Sequence, residues 1–186
     1  MDPGPFPYKE FTQVALSYLN QLYSASRRLS PSPADADDLV QETYTLAFQH
    51  YRELRSLAHC RAWLYRILHR QAATRYRREH SGPQLVLVEG GAEENDLAPP
   101  EMPLDQDVLE RISVQEIRRI IEALPTDLRV AVTLCDIEGF TYAEIADITG
   151  TPVGTVRSRI ARARAKLMSK LRTHAEDCGI IRRRMG

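Results

Sequence analysis

Cysteine is scarce and scattered in this sequence: Cys60, Cys135 and Cys178 are the whole complement of 186 residues. An odd, widely spaced trio builds no disulfide scaffold and has no metal-ligand spacing, so the reading is a reducing cytoplasm with no metal and no cofactor. No apolar run approaches the roughly 18–20 residues of a membrane span, so direct membrane insertion is not expected. The first residues hold Pro3, Pro5 and Pro7 and lack the cationic-then-apolar layout of a secretory signal. No stretch alternates with period two for long enough to build a sheet. Glycine-rich phosphate loops, HExxH and G-x-S-x-G are all missing, which leaves an enzyme, and a small-molecule substrate, without support.

A further absence is local. Residues 81–107 contain no lysine or arginine and seven acids: Glu89, Glu93, Glu94, Asp96, Glu101, Asp105 and Asp107. The 25 basic and 25 acidic residues of the chain therefore cancel only in sum. Residues 1–80 carry 11 basic and 8 acidic groups, and residues 108–186 carry 14 and 10. Local charge, not the net, sets the field that a polyanion meets. The acidic stretch is also rich in proline and glycine and reads as a solvated tether. Leu85 to Val88 within it can form a short strand or dock elsewhere. The expected organisation is a domain over 1–80, an acidic linker over 81–107 and a domain over 108–186.

Both domains read as helical, so the fold class is all-α. Phe11, Val14, Ala15, Tyr18, Leu19, Leu22 and Tyr23 recur at helical spacing and predict one amphipathic helix. Pro31 and Pro33 are expected to break the chain, with Asp35 or Asp37 capping a second helix to about Tyr51. Its inner stripe is Val40, Tyr44, Ala47, Phe48 and Tyr51. A third helix is predicted from about Arg61 to Arg78, with Leu64, Ile67, Leu68 and Ala72 inside. In the second domain Val114, Ile117, Ile121 and Leu124 mark a helix ended by Pro125. Leu128, Ala131, Val132 and Cys135 mark the next, ended near Gly139. Two more are predicted, Tyr142 to Thr149 and Val153 to about Arg172.

The last pair has the chemistry of a helix-turn-helix. Ala146 is small where two helices cross, Gly150 suits a turn that needs positive φ, and Pro152 suits the first turn of the following helix. Val156, Ile160, Ala163, Leu167 and Leu171 face inward, which turns Arg157, Ser158, Ala161, Arg162 and Ala165 outward. From Val153 to Arg172 there are seven basic residues and no acid. An ordinary solvated helix mixes signs to gain i,i+4 pairs, so this one points to a polyanionic partner. Arginine can donate two bonds to a guanine edge in the major groove, and flanking cations suit phosphates.

The helix Arg61 to Arg78 is cationic as well, with Arg61, Arg66, Arg70, Arg75, Arg77 and Arg78, no acid, and Trp63, Tyr65 and Tyr76 interleaved. Cations with aromatics suit single-stranded nucleic acid. Trp63 and Tyr65, however, read as core or half-buried packing residues ahead of stacking platforms. His59 and His69 read as surface or loop positions without ligand spacing. The helix before it is acidic at its start, with Asp35, Asp37, Asp38 and Glu42 beside Leu39, Val40, Leu46 and Phe48. Acids at a helix N-terminus are favourable in themselves, and the face is wide enough for both a core and a protein partner.

Two stretches together resemble the extracytoplasmic-function (ECF) sigma factors of the sigma-70 family. One is Asp35-Ala-Asp-Asp-Leu-Val-Gln-Glu-Thr43 followed by Arg61-Ala-Trp-Leu-Tyr-Arg-Ile67. The other is Leu124-Pro125, Asp136 to Ala146 and Pro152 to Arg164. The resemblance implies a first domain like sigma region 2 and a last domain like region 4. It implies an alternative RNA polymerase sigma factor acting in transcription initiation and stress response. Asp38, Leu39, Gln41, Glu42 and Phe48 would meet the clamp coiled coil of the core enzyme, with a further contact at its flap. The loop Arg55 to Cys60 and the helix Arg61 to Arg78 would meet the opened −10 element. Arg157, Ser158, Ala161 and Arg162 would read the −35 duplex, with Thr155, Arg159 and Lys166 on phosphates. The linker would run toward the RNA path, and an anti-sigma factor would hold the protein inactive. The stretch around Leu22-Tyr23 and Pro33 to Asp35 is reminiscent of sigma factors paired with zinc-containing, thiol-sensing inhibitors. The segment His69-Arg70-Gln71-Ala72-Ala73-Thr74-Arg75 departs from the family's Arg-Asn pair, so only basic character carries over there. A stand-alone helix-turn-helix regulator shares the last part but needs neither the acidic helix nor the cationic aromatic one. Free cysteines serve as small apolar residues or as oxidation sensors, and Arg182-Arg183-Arg184 serves phosphates or stays disordered.

Overall fold

The computed structural model describes residues 6–79, 108 and 110–181. The tether over 81–107, its segment Leu85 to Val88, and the basic tail Arg182 to Arg184 lie outside the described residues. Among the described residues there are eight α-helices and no strand, so the fold is all-α. The chain divides into two compact units.

The first unit contains α1 (Tyr8–Ser17), α2 (Leu19–Leu29), α3 (Pro33–His50) and α4 (Cys60–Glu79), with single 3-10 turns at Tyr51–Glu53 and Leu57–His59. The single amphipathic helix expected through Tyr23 is two helices. Tyr18 (φ −92°, ψ 3°) closes α1 and opens α2, its N–H donating back to the Ala15 carbonyl at 3.2 Å. The break keeps Phe11, Ala15 and Leu22 fully buried and turns Leu19 and Tyr23 out, 42% and 39% exposed. The start of α3 also corrects the sequence reading. Ser32, not an aspartate, is the N-cap: its Oγ accepts from the Asp35 N–H at 3.2 Å. Pro33 fills the first helical turn, where a missing N–H costs nothing. Pro33 thus opens the helix instead of interrupting it.

Helix α3 packs on α2 and α4, and α4 also receives α1 and α2. The Phe11 ring lies 5.5 Å from Phe48 and 6.1 Å from Trp63, both edge-on. Leu39, Leu64, Tyr65 and Leu68 are buried with it, and each leucine contributes about 2 kcal/mol by leaving water. Buried hydroxyls are satisfied: Tyr44 Oη donates to the Ala15 carbonyl at 2.7 Å and Thr43 Oγ1 to that of Leu39 at 2.7 Å. Burial accordingly raises the Tyr44 phenol well above its ordinary value.

The second unit contains α5 (Val114–Glu122), α6 (Thr126–Val132), a π-helical turn (Thr133–Ile137), α7 (Tyr142–Thr149) as far as Ile145, and α8 (Val153–Asp177). Ser113 caps α5, which leaves Val114, counted above among the apolar markers, 75% exposed in the first turn. Helix α8 lies against α6 and α5. Leu124, Leu128, Val132 and Ala163 form one buried cluster, closed by Leu167. Ile112, Leu171 and Ala175 form a second, covered by Ile117, Met168, Ile180 and Ile181. This second cluster explains why α8 runs past Arg172 to Asp177. The last turn carries buried Ala175, and the Ile180 and Ile181 N–H groups fold back onto its carbonyl at 2.8 and 3.2 Å.

Candidate nucleic-acid and polymerase interfaces

The turn between α7 and α8 is built from its residues. Thr141 and Glu144 form a reciprocal capping box: Thr141 N–H donates to Glu144 Oε2 at 2.8 Å and Glu144 N–H to Thr141 Oγ1 at 3.3 Å. Gly150 adopts φ 68°, the left-handed region that a Cβ disfavours. Pro152 (φ −59°, ψ 145°) is the N-cap of α8, one position earlier than its expected place inside the first turn.

Along α8 the two faces separate as the spacing predicts. Val156, Ile160 and Ala163 are buried, while Arg157, Ser158, Ala161, Ala165 and Lys166 are exposed. Thr155 and Arg162 are half-buried at the edge. Ser158 Oγ donates to the Thr155 carbonyl at 3.0 Å. The exposed strip of Arg157, Ser158 and Ala161 is low in the middle and cationic at its margin, a shape that lets a helix enter a major groove.

Two cations on this helix have partners that sequence spacing did not reveal. Arg159, only 13% exposed, lies 3.4 Å from Asp127 in α6. Arg164 grips Asp136 with two bonds, Nη2 to Oδ1 at 2.6 Å and Nε to Oδ2 at 3.1 Å, and its Nη2 also reaches Cys135 Sγ at 3.7 Å. These pairs fix the azimuth of α8 on its own domain. The Arg164 guanidinium holds the Asp136 carboxyl below its usual range despite partial burial, while burial and then Asp136 push the Cys135 thiol up.

In the first unit Asp37, Asp38, Gln41 and Glu42 are exposed along α3, beside a shallow groove of about 330 Å³ lined by Leu19, Asn20, Tyr23, Asp37, Val40 and Gln41. Two residues expected at the polymerase contact stand elsewhere. Leu39 is 1% exposed and belongs to the core. Phe48 is half-buried among Phe11, Tyr44 and Tyr8. The stripe pattern could not separate these positions, because a face shared by core and partner has the same periodicity throughout.

The loop before α4 is pinned by buried Leu54 and Cys60 and exposes Arg55, Ala58 and His59. Burial pushes the Cys60 thiol up to about 11, the state of an inert packing residue. On α4, Trp63 and Tyr65 are 6% and 0% exposed, so packing is their role, and Tyr76 is the exposed aromatic at 46%. Arg61 donates to Gln21 Oε1 at 2.9 Å and lies over the Tyr65 ring at 5.5 Å. Arg66 is half-buried, and Arg70, Arg77 and Arg78 are exposed. Arg75 is bound to Glu42 on α3, with Nη2 to Oε1 at 2.7 Å. His69 departs from its expected surface place. It is half-buried, and burial together with Arg28 lowers its imidazole to about 4.

Comparison with known proteins agrees with this geometry. The model for "Sigma-70 region 2" matches residues 14–81, and that for "Sigma-70, region 4" matches residues 114–167. The "ECF RNA polymerase sigma-E factor" of Salmonella typhimurium is 34% identical over 88% of this chain and 87% of its own length. The chain belongs to the ECF sigma factors of the sigma-70 family. The sigma factor SigE of Mycolicibacterium smegmatis is 31% identical over 89% of this chain, which spans 63% of that relative's length. Among solved structures, the sigma factor RpoE in complex with the anti-sigma factor NepR from Bartonella quintana superposes with a TM-score of 0.65, at 26% identity, over 89% of this chain and 98% of that one. CnrH in complex with the cytosolic domain of CnrY gives 0.61 at 25% identity, over 90% of each chain. For this ECF sigma factor α7, the turn and α8 as far as Leu167 lie within the region 4 match, and the acidic α3 and cationic α4 within the region 2 match. No helix among the described residues is long and apolar enough to cross a membrane.

Proposed function

We propose that this ECF sigma factor binds core RNA polymerase in the bacterial cytoplasm and directs it to promoters, with no covalent chemistry of its own. Residues 1–80 act as region 2, 81–107 as the linker and 108–186 as region 4. The observation that carries the reading is the composite character of one chain: an acidic exposed face on α3 beside a cationic α4, followed by a helix-turn-helix with a cationic outer strip. Asp38, Gln41 and Glu42 offer acceptors to the polymerase clamp, with Leu39 and Phe48 supporting them from beneath.

The duplex reader is α8. Arg157 and Arg162 donate to base edges, Ser158 and Ala161 leave room for the groove floor, and Thr155 and Lys166 face phosphates, while Arg159, expected on a phosphate, is held by Asp127 and braces the helix instead. The opened −10 strand meets the loop Arg55 to Cys60 and the cations Arg61, Arg66, Arg70, Arg77 and Arg78. Region 2 shifts the opening equilibrium only by the difference between its affinities for separated and paired strands. Joining two readers on one chain raises the effective concentration of the second once the first is bound.

An anti-sigma factor is the natural occupant of the α2–α3 groove. Leu19 and Tyr23 are exposed apolar surface beside the acidic rim, and relatives of the same fold are solved with anti-sigma factors bound.

The deciding experiment is run-off transcription by core polymerase with and without the full chain on promoter libraries. New start sites that depend on the chain are expected. Start sites unchanged by its addition, or tight sequence-specific duplex binding with no affinity for polymerase, overturn the reading in favour of a stand-alone regulator.

A further inference from the structure

Arg75 was grouped above with the cations expected to meet DNA, and Glu42 with the acids expected to meet polymerase. The structure joins the two. Arg75 Nη2 and Nε donate to Glu42 Oε1 and Oε2 at 2.7 and 3.2 Å, and Nη1 donates to the Asp35 carbonyl at 3.2 Å. The Arg75 side chain is 24% exposed while that of Glu42 is 51% exposed. A planar fork with three nitrogens committed to one helix is a geometric fastener, and the geometry cannot be reproduced by a point charge.

We propose that Arg75 is a positioning residue: it fastens the distal half of α4, which carries exposed Arg70, Arg77 and Arg78, to the acidic N-terminal half of α3, and it does not itself touch nucleic acid. The inference rests on the promoter-opening role proposed above. Its physical content is that the cations offered to the opened strand and the acids offered to polymerase are held in one fixed relation. Without Arg75 the last turns of α4 keep their charges but lose their place. Glu42 then presents an uncompensated carboxylate whose direction is no longer set.

The test has two arms. In the first, holoenzyme containing the full chain binds a fluorescent single-stranded −10 oligonucleotide over a salt series. Promoter opening is followed in parallel by 2-aminopurine fluorescence. Arg75→Gln is expected to reduce opening about tenfold while leaving the slope of log K against log salt unchanged. Arg70→Gln is expected to lower that slope by about 0.7, the value of one single-strand phosphate contact. Arg75→Lys restores opening only in part, and the reversed pair Arg75→Glu with Glu42→Arg recovers more than Arg75→Glu alone. A slope that falls by about 0.7 in Arg75→Gln, or full restoration by lysine, overturns the proposal in favour of a direct phosphate contact.

The second arm needs no polymerase. Urea unfolding of the full chain is compared for Arg75→Gln, Glu42→Gln and the double variant. The double is expected to match the more damaging single within a factor of two in the unfolding constant. Strictly multiplicative effects overturn the coupling. A chain that fails to bind polymerase at all refutes the promoter role and leaves this second arm readable.

Discussion

His69 sits midway along α4 with cationic neighbours, and burial followed by Arg28 holds its imidazole down to about 4. The unfolded chain has an ordinary histidine near 6.5. Between those values the unfolded state binds more protons, so stability rises with pH across this window and is lost as pH falls toward 4. Urea unfolding at pH 7 and pH 4.5 is expected to differ by roughly 2 kcal/mol from this group, and His69→Gln flattens the difference. A profile unchanged by the substitution would show that the imidazole is solvated. At the same scale, Arg157→Ala is expected to cost about 1–3 kcal/mol on the preferred duplex and to relax preference at one base pair, while Lys166→Ala weakens all duplexes alike and lowers the salt slope by about 1. Fluorescence anisotropy on two promoter variants over a salt series separates the two outcomes.

Among the elements, the turn and the caps decide where helices begin. Gly150→Ala places a Cβ at φ 68° where it meets no neighbour within 4 Å, so the penalty is backbone strain alone, about 1 kcal/mol. Asparagine, which tolerates that region, is expected to recover part of it. Ser32→Ala removes the side-chain acceptor of the Asp35 N–H and is expected to cost about 1 kcal/mol. Thermal unfolding of the full chain reads both, and a neutral Ser32→Ala would show that solvent caps α3 as well as Ser32 does.

The helices α3, α4 and α8 were legible from spacing because their apolar stripes are long, and α7 from Ala146 and the turn chemistry beside it. Gly150 was legible because one backbone conformation demands it. The Tyr18 break was not, since neither proline nor glycine marks it and packing of Phe11 and Leu22 bends the chain. The pairs Arg159–Asp127, Arg164–Asp136 and Arg75–Glu42 were equally hidden, because each joins different helices and leaves no mark in local periodicity.

For the molecule as a whole, each of the two units buries leucines of its own. Leu64 in the first and Leu128 in the second are 0% and 4% exposed, and truncating either to alanine is expected to cost about 2–5 kcal/mol. Calorimetry of the full chain is expected to show each substitution lowering a different part of the transition. Equal displacement of the whole trace by both would mean that the units unfold as one. Family membership was legible at this scale from the order of an acidic helix, a cationic helix and a helix-turn-helix, which no single motif carries.

The π turn at Thr133–Ile137 works as a local slack loop. It takes up one residue more than an α turn would, so the chain on either side keeps its winding while the coil bulges at that point. The bulge is where the Asp136 carboxylate meets the Arg164 fork. A widening that would cost a hydrogen bond in an isolated helix is thereby turned into a fastening for α8.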